Sequence, residues 1–115
     1  MGADLIANLE ALLVKGDSAA LRLALASRYL DANDAAAAAQ HAEAAVRLDP
    51  EYSAAWKALG RALTAAGRDA EALTVYERGI QVAEGRGDQQ AAKEMRVFSK
   101  RLQRAAGKAA KDNSD

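Results

Sequence analysis

The sequence predicts an all-α protein, a stack of about six antiparallel helices, and three observations carry that prediction. First, the chain holds one proline in 115 residues and is rich in Ala, Leu, Glu, Arg and Lys, residues that lose little rotamer freedom in a helix. Second, no stretch alternates β-branched and polar residues over the length of a strand. Third, the chain repeats itself. Shifted by 34 residues, 53–86 lies over 19–52 with Ala20/Ala54, Ala24/Ala58, Leu25/Leu59, Ala32/Ala66, Ala36/Ala70, Ala38/Ala72 and Glu43/Glu77 identical. Half of the residues are hydrophobic but only 4% are aromatic, so alanine methyls must fill much of one modest core. A core of that kind requires close helix–helix approach.

Each element has its own signal. Leu5, Ile6, Leu9, Leu12 and Leu13 form a helical stripe over 4–15, stopped by Lys15-Gly16. Helices are expected over 18–31 and 35–48, separated by Asn33, and over 52–66 and 69–84, separated by Gly67. Asn and Gly at these equivalent positions both tolerate the left-handed conformation of a helix end. Pro50 cannot continue the preceding helix, and Asp49 is placed to cap the next. Trp56, Leu59 and Leu63 follow i, i+3, i+7 and make one apolar stripe; Ala72, Tyr76 and Gly79 make the answering stripe on the following helix. Near the end the 34-residue register fails, because it would bury Gln90, Lys93 and Glu94. The stripe there is Ala91, Met95, Phe98 and Leu102, which predicts a single amphipathic helix over 88–106 closing the stack against the second repeat. Residues 107–115 are expected to be a frayed tail. The whole is read as one domain, 1–106.

The spacing and the residues at fixed positions resemble the tetratricopeptide repeat (TPR), a 34-residue helix–turn–helix unit. The second repeat, 53–86, carries Trp56, Leu59, Gly60, Ala72 and Tyr76, with Leu63 where Tyr is usual, Gly79 where Ala is usual and Glu84 where Pro is usual. The first, 19–52, carries Leu25, Ala26, Tyr29, Ala38, Ala42, Ala45 and Pro50, with Arg22 at the Trp position. The resemblance spans about three-fifths of the chain. It implies a right-handed superhelical stack, a non-enzymatic role as adaptor, scaffold or assembly factor, and a protein or peptide partner. It also implies a concave groove lined by first helices, at positions held here by Leu23 and Ser27 and by Lys57 and Arg61. Lys57 and Arg61 are like charges at i, i+4, and a carboxylate between them would offset their repulsion. The expected ligand is therefore an acidic segment. Two repeats make a short groove, so weak self-association is a second way to extend it.

Other chemistry finds little support. The 16 Lys and Arg balance the 16 Asp and Glu, but residues 1–55 are acidic while 86–111 carry eight cations against Asp88 and Glu94. Lys93, Arg96, Lys100 and Arg104 give the last helix a basic side, the alternative site, suited to a nucleic acid or an acidic partner. No aromatic is interleaved with those cations to stack bases. The absence of Cys excludes disulfides and thiolate chemistry. His41, the one histidine, has no second ligand at metal spacing and is expected on a helix surface; no metal and no cofactor is expected. No Ser lies in a nucleophile-elbow context, and Asp31 and Asp34 read as helix-end residues rather than an acid–base pair. Arg86-Gly87-Asp88 reads as a helix stop and a cap. The first residues lack a basic segment and an Ala-x-Ala site, and no apolar run reaches membrane-spanning length, so a cytoplasmic protein is expected.

Overall fold

The computed structural model describes residues 2–112. It contains six helices, and no strand among the described residues: α1 (Gly2–Lys15), α2 (Ala19–Asp31), α3 (Ala35–Leu48), α4 (Ser53–Ala65), α5 (Asp69–Arg86) and α6 (Gln89–Asp112). Each helix packs on the next, and α4 also touches α2 and α6. Glu10 of α1 also reaches His41 of α3 through its side chain, and α2, α4 and α6 form one layer and α1, α3 and α5 the other. The molecule is elongated, 54 × 32 × 20 Å.

Local chemistry sets most of the boundaries. The Ser18 side chain accepts from Leu21 N–H at 3.1 Å and Asp34 from Ala37 N–H at 3.1 Å, each satisfying a donor that a helix start leaves open. The inter-helix turns pass through Asn33 at φ 61° and Gly67 at φ 76°, as the repeat alignment requires. Asp49 does not cap α4. It ends α3, and its side chain accepts from Glu51 N–H at 3.2 Å, closing the Pro50 turn on itself; Tyr52 precedes α4 without a side-chain cap.

The core is mainly alanine. Ala38, Ala39, Ala42 and Ala45 of α3 pack among Ala26, Ala55, Ala58 and Ala62, with Leu59, Leu63 and Tyr76 as the larger fillers. Gly60 is where α4 and α5 come closest. A β-carbon there would overlap the Tyr76 ring, which is only 1% exposed. Gly79 does the same for three helices at once: a β-carbon would lie 2.6 Å from Met95 Sδ on α6 and 2.8 Å from Trp56 Cβ on α4. Alanine, usual at this position in the repeat that the sequence resembles, would require Met95 and Trp56 to shift.

The broken register has a structural cause. α4 begins 34 residues after α2 and α5 begins 34 after α3, but α6 begins 36 after α4. α5 is 18 residues long against 14 for α3, about one extra turn, and ends at Gly87 in the left-handed conformation. With that offset, buried Ala55, Leu59 and Leu63 of α4 correspond to buried Ala91, Met95 and Ser99 of α6. Met95 and Leu102 are buried and Phe98 is partly buried against the same core, with its ring centroid 5.8 Å from that of Tyr76. α6 does not stop before Gly107. It runs on to Asp112 through Ala105, Ala106, Ala109 and Ala110, good helix formers that offset one glycine. Residues 113–115 of the expected tail lie outside the described residues.

Candidate functional site

The layer of α2, α4 and α6 carries the expected site residues, and contacts between α4 and α6 decide which of them are free. At the start of α6, Ser53 Oγ donates to Asp88 Oδ2 at 2.6 Å while Asp88 Oδ1 accepts from Ala91 N–H at 3.1 Å. Both bonds hold the Asp88 carboxyl below its ordinary range, the Ser53 bond most strongly. One turn further along α4, Lys57 Nζ meets Glu94 Oε2 at 2.9 Å, which likewise holds Glu94 low. Lys57 therefore has a carboxylate partner within the chain, and Glu94 offsets its i, i+4 repulsion with Arg61. Asp88 of the Arg-Gly-Asp tripeptide is committed to capping.

Arg61 has a different setting. α4 and α6 are latched at their N-terminal ends, and beyond the latches a cavity of about 340 Å³ lies between the C-terminal half of α4 and the middle of α6. Its floor and walls are Ala65, Tyr76, Phe98 and Leu102, and Arg61 of α4 and Arg101 of α6 line it from two different helices. The Arg101 guanidinium lies 5.9 Å from the Phe98 ring centroid, within cation–π range. Burial raises the Tyr76 phenol, while a hydrogen bond with Thr64 and the charge of Arg61 work against that rise. Thr64, a further lining residue, donates to Gly60 O at 2.8 Å. Neither Arg61 nor Arg101 lies within ion-pair distance of a carboxylate among the described residues, whereas Arg22, Arg28, Arg47, Lys57, Arg68 and Arg96 each do.

Leu23 and Ser27 sit one repeat earlier, on α2, both half-buried, with Leu23 packed against the core. Of the alternative basic residues, Lys93, Lys100 and Arg104 are exposed, but Arg96 turns toward α5 and pairs with Glu84 at 2.9 Å. Val97, 47% exposed, interrupts the remaining stripe. Sequence reasoning overlooked Arg101. The available signal was Phe98 and Leu102 beside it on a helix already read as amphipathic, since the residue between two inward positions can hang over the edge of the buried stripe.

His41 is not a surface residue. Its side chain is 13% exposed, its ring stacks on Tyr29 (5.4 Å, 7°), and its Nε2 lies 3.2 Å from Glu10 Oε1 on α1. Nδ1 is 3.1 Å from Arg22 Nη1, a donor, so Nδ1 accepts there and Nε2–H donates to Glu10. Tyr29 Oη also donates to Glu10 at 2.9 Å, and this bond raises the Tyr29 phenol. Asp17 takes the Arg22 fork through two 2.9 Å bonds, which lower Asp17 and raise Arg22. The cause is Arg22 itself. At the position where the second repeat has Trp56, a cation must find acceptors, and Asp17 and His41 supply them. The network docks α1. Among the described residues no helix is long and apolar enough to cross a membrane, and no group of three or more His, Asp or Glu could hold a metal ion.

Comparison with known proteins agrees with this architecture. The tetratricopeptide repeat family profile matches residues 29–95. A TPR repeat-containing protein of Pseudomonas aeruginosa is 50% identical over 102 residues, covering 88% of this chain and 97% of that protein. The solution structure of a protein from Bordetella parapertussis superposes with a TM-score of 0.80 at 39% identity, over 96% of each chain. The crystal structure of a tetratricopeptide repeat domain protein from Salinibacter ruber does so with a TM-score of 0.69 at 28% identity, over 75% of this chain and 97% of that one.

Proposed function

Because the chain belongs to the tetratricopeptide repeat family, we propose that it is a non-catalytic protein–protein interaction module that holds an acidic segment of a partner along α2, α4 and α6. One observation carries the reading: Arg61 lies on this layer beside an open apolar cavity, without a carboxylate of its own. A guanidinium so placed favours a carboxylate ligand, and the cavity offers apolar burial to a neighbouring side chain. Leu23 and Ser27 extend the face by one repeat. Lys57 contributes by latching α6 to α4 rather than by meeting the ligand. The exposed Lys93, Lys100 and Arg104 lie on the same helix as Arg101 and steer an acidic partner toward the face.

The test is to select ligands from a displayed peptide library and map their footprint by amide shift changes in isotope-labelled protein. Footprints on α2, α4 and α6 that vanish in Ser27→Glu/Arg61→Glu, with the melting temperature unchanged, are the expected result. Footprints confined to α1, α3 and α5 would overturn it.

A further inference from the structure

We infer that the cavity between α4 and α6 is a specificity pocket for one large apolar side chain, aromatic by preference, flanked in the partner segment by carboxylates on both sides. The inference rests on the interaction reading above and names the chemistry of the segment that the face takes. A volume of about 340 Å³ lies at the small end of ligand pockets, enough for one large side chain with part of its backbone and too little for a folded element. The interior surfaces favour a ring. Tyr76 and Phe98 are already a tilted aromatic pair with centroids 5.8 Å apart, and a third ring adds to such a cluster in edge-to-face or offset geometry. Leu102 and Ala65 complete an apolar wall.

The charges define the flanks. Arg61 and Arg101 come from different helices and have no ion-pair partner among the described residues. Two guanidinium groups on separate walls repel each other and lose solvation as the mouth fills, so an entering apolar side chain alone would leave both cations worse off. Carboxylates on each side of that side chain restore the balance with two charge-assisted contacts. Arg101 is held over Phe98, so part of the ordering cost of its side chain is met before a ligand arrives. Lys57–Glu94 and Ser53–Asp88 join the two helices on the N-terminal side of the gap.

The experiment uses the full chain and a synthetic seven-residue peptide, acetylated and amidated, with one central Phe between three acidic residues on either side. Two control peptides replace the Phe by Ala, or the acidic residues by Asn and Gln. Calorimetry at low salt is expected to show binding tighter than about 1 mM for the parent peptide, and a loss of about tenfold or more for each control. Ala65→Trp, at an exposed position, should fill the cavity and remove binding, and Arg61→Gln and Arg101→Gln should each weaken it by about tenfold. Melting temperatures verify that each variant is folded. If the parent peptide does not bind, or binds Ala65→Trp as tightly as the wild type, the inference is overturned. If the Ala control binds as well as the parent, the site is a general anion patch and the inference is also overturned. Library-selected ligands that still footprint on α2 and α4 would then leave the interaction reading standing, whereas their absence from this layer would remove both.

Discussion

Replacing Gly60 by alanine sets two physical effects against each other at one atom. In the middle of a helix, Gly→Ala is worth up to about 1 kcal/mol of stability, because alanine has less backbone entropy to lose. Against this, the new methyl would overlap Tyr76 at three ring atoms, and Tyr76 is a core residue only 1% exposed. Overpacking a core site costs roughly 1–3 kcal/mol, and overlap with several atoms of a buried ring belongs at the upper end. The net expectation is a loss of about 2 kcal/mol. A chain of this size has an unfolding entropy near 0.24 kcal/mol per kelvin, so the melting temperature should fall by about 8 °C. Gly85→Ala, in open space on α5, is the control and should leave the melting temperature unchanged or slightly raised. Thermal unfolding followed by circular dichroism reads both. A double-mutant cycle with Tyr76→Leu should show the two sites coupled, with Gly60→Ala far less harmful once the ring is gone. A Gly60→Ala melting temperature equal to or above the wild type would refute the claim that α4 and α5 meet at this glycine.

Met95→Ala, which empties a fully buried position beside Gly79, should cost about 2–5 kcal/mol in denaturant unfolding, while Val97→Ala on the exposed side of the same helix should be nearly neutral. Removal of residues 88–115 should expose the apolar face of α4 and α5 and cause aggregation at concentrations where the full chain is monodisperse, as seen by light scattering. Asp88 and Glu94 have folded-state pKa values below their ordinary 3.8 and 4.5, so their stabilisation is complete above those values and is lost as pH falls through the lower folded values. Melting temperature should therefore drop on acidification below about pH 4.5, and Ser53→Ala/Lys57→Met should flatten that drop. Asp34→Ala, which removes the α3 cap, should cost about 1 kcal/mol in the same unfolding assay.

The repeat was legible because its causes are local or periodic. The Trp56-Leu59-Leu63 stripe and the Asn33 and Gly67 turns depend on residues within a few positions of one another, the 34-residue shift is their recurrence, and the structure has them as read. The inward stripe of Met95, Phe98 and Leu102 was legible for the same reason. What was not legible depends on side chains meeting across helices. Lys57 and Glu94 are 37 residues apart, and they meet in the register set by an α5 that is about one turn longer than α3, where the sequence predicts a helix ending at 84. His41 read as a surface residue because its partners Arg22 and Glu10 lie on two other helices. Arg101 was hidden by the cations around it. Charge pattern alone does not distinguish a guanidinium over an aromatic ring from one in open water.

The most direct test of the central claim is an intermolecular NOE experiment on the complex of the full chain with the acidic peptide carrying a central Phe. Contacts from the peptide ring to Tyr76, Phe98 and Leu102 are expected, with the peptide backbone lying between Arg61 and Arg101. A bound peptide whose ring contacts only α1, α3 or the outer face of α5 would contradict it.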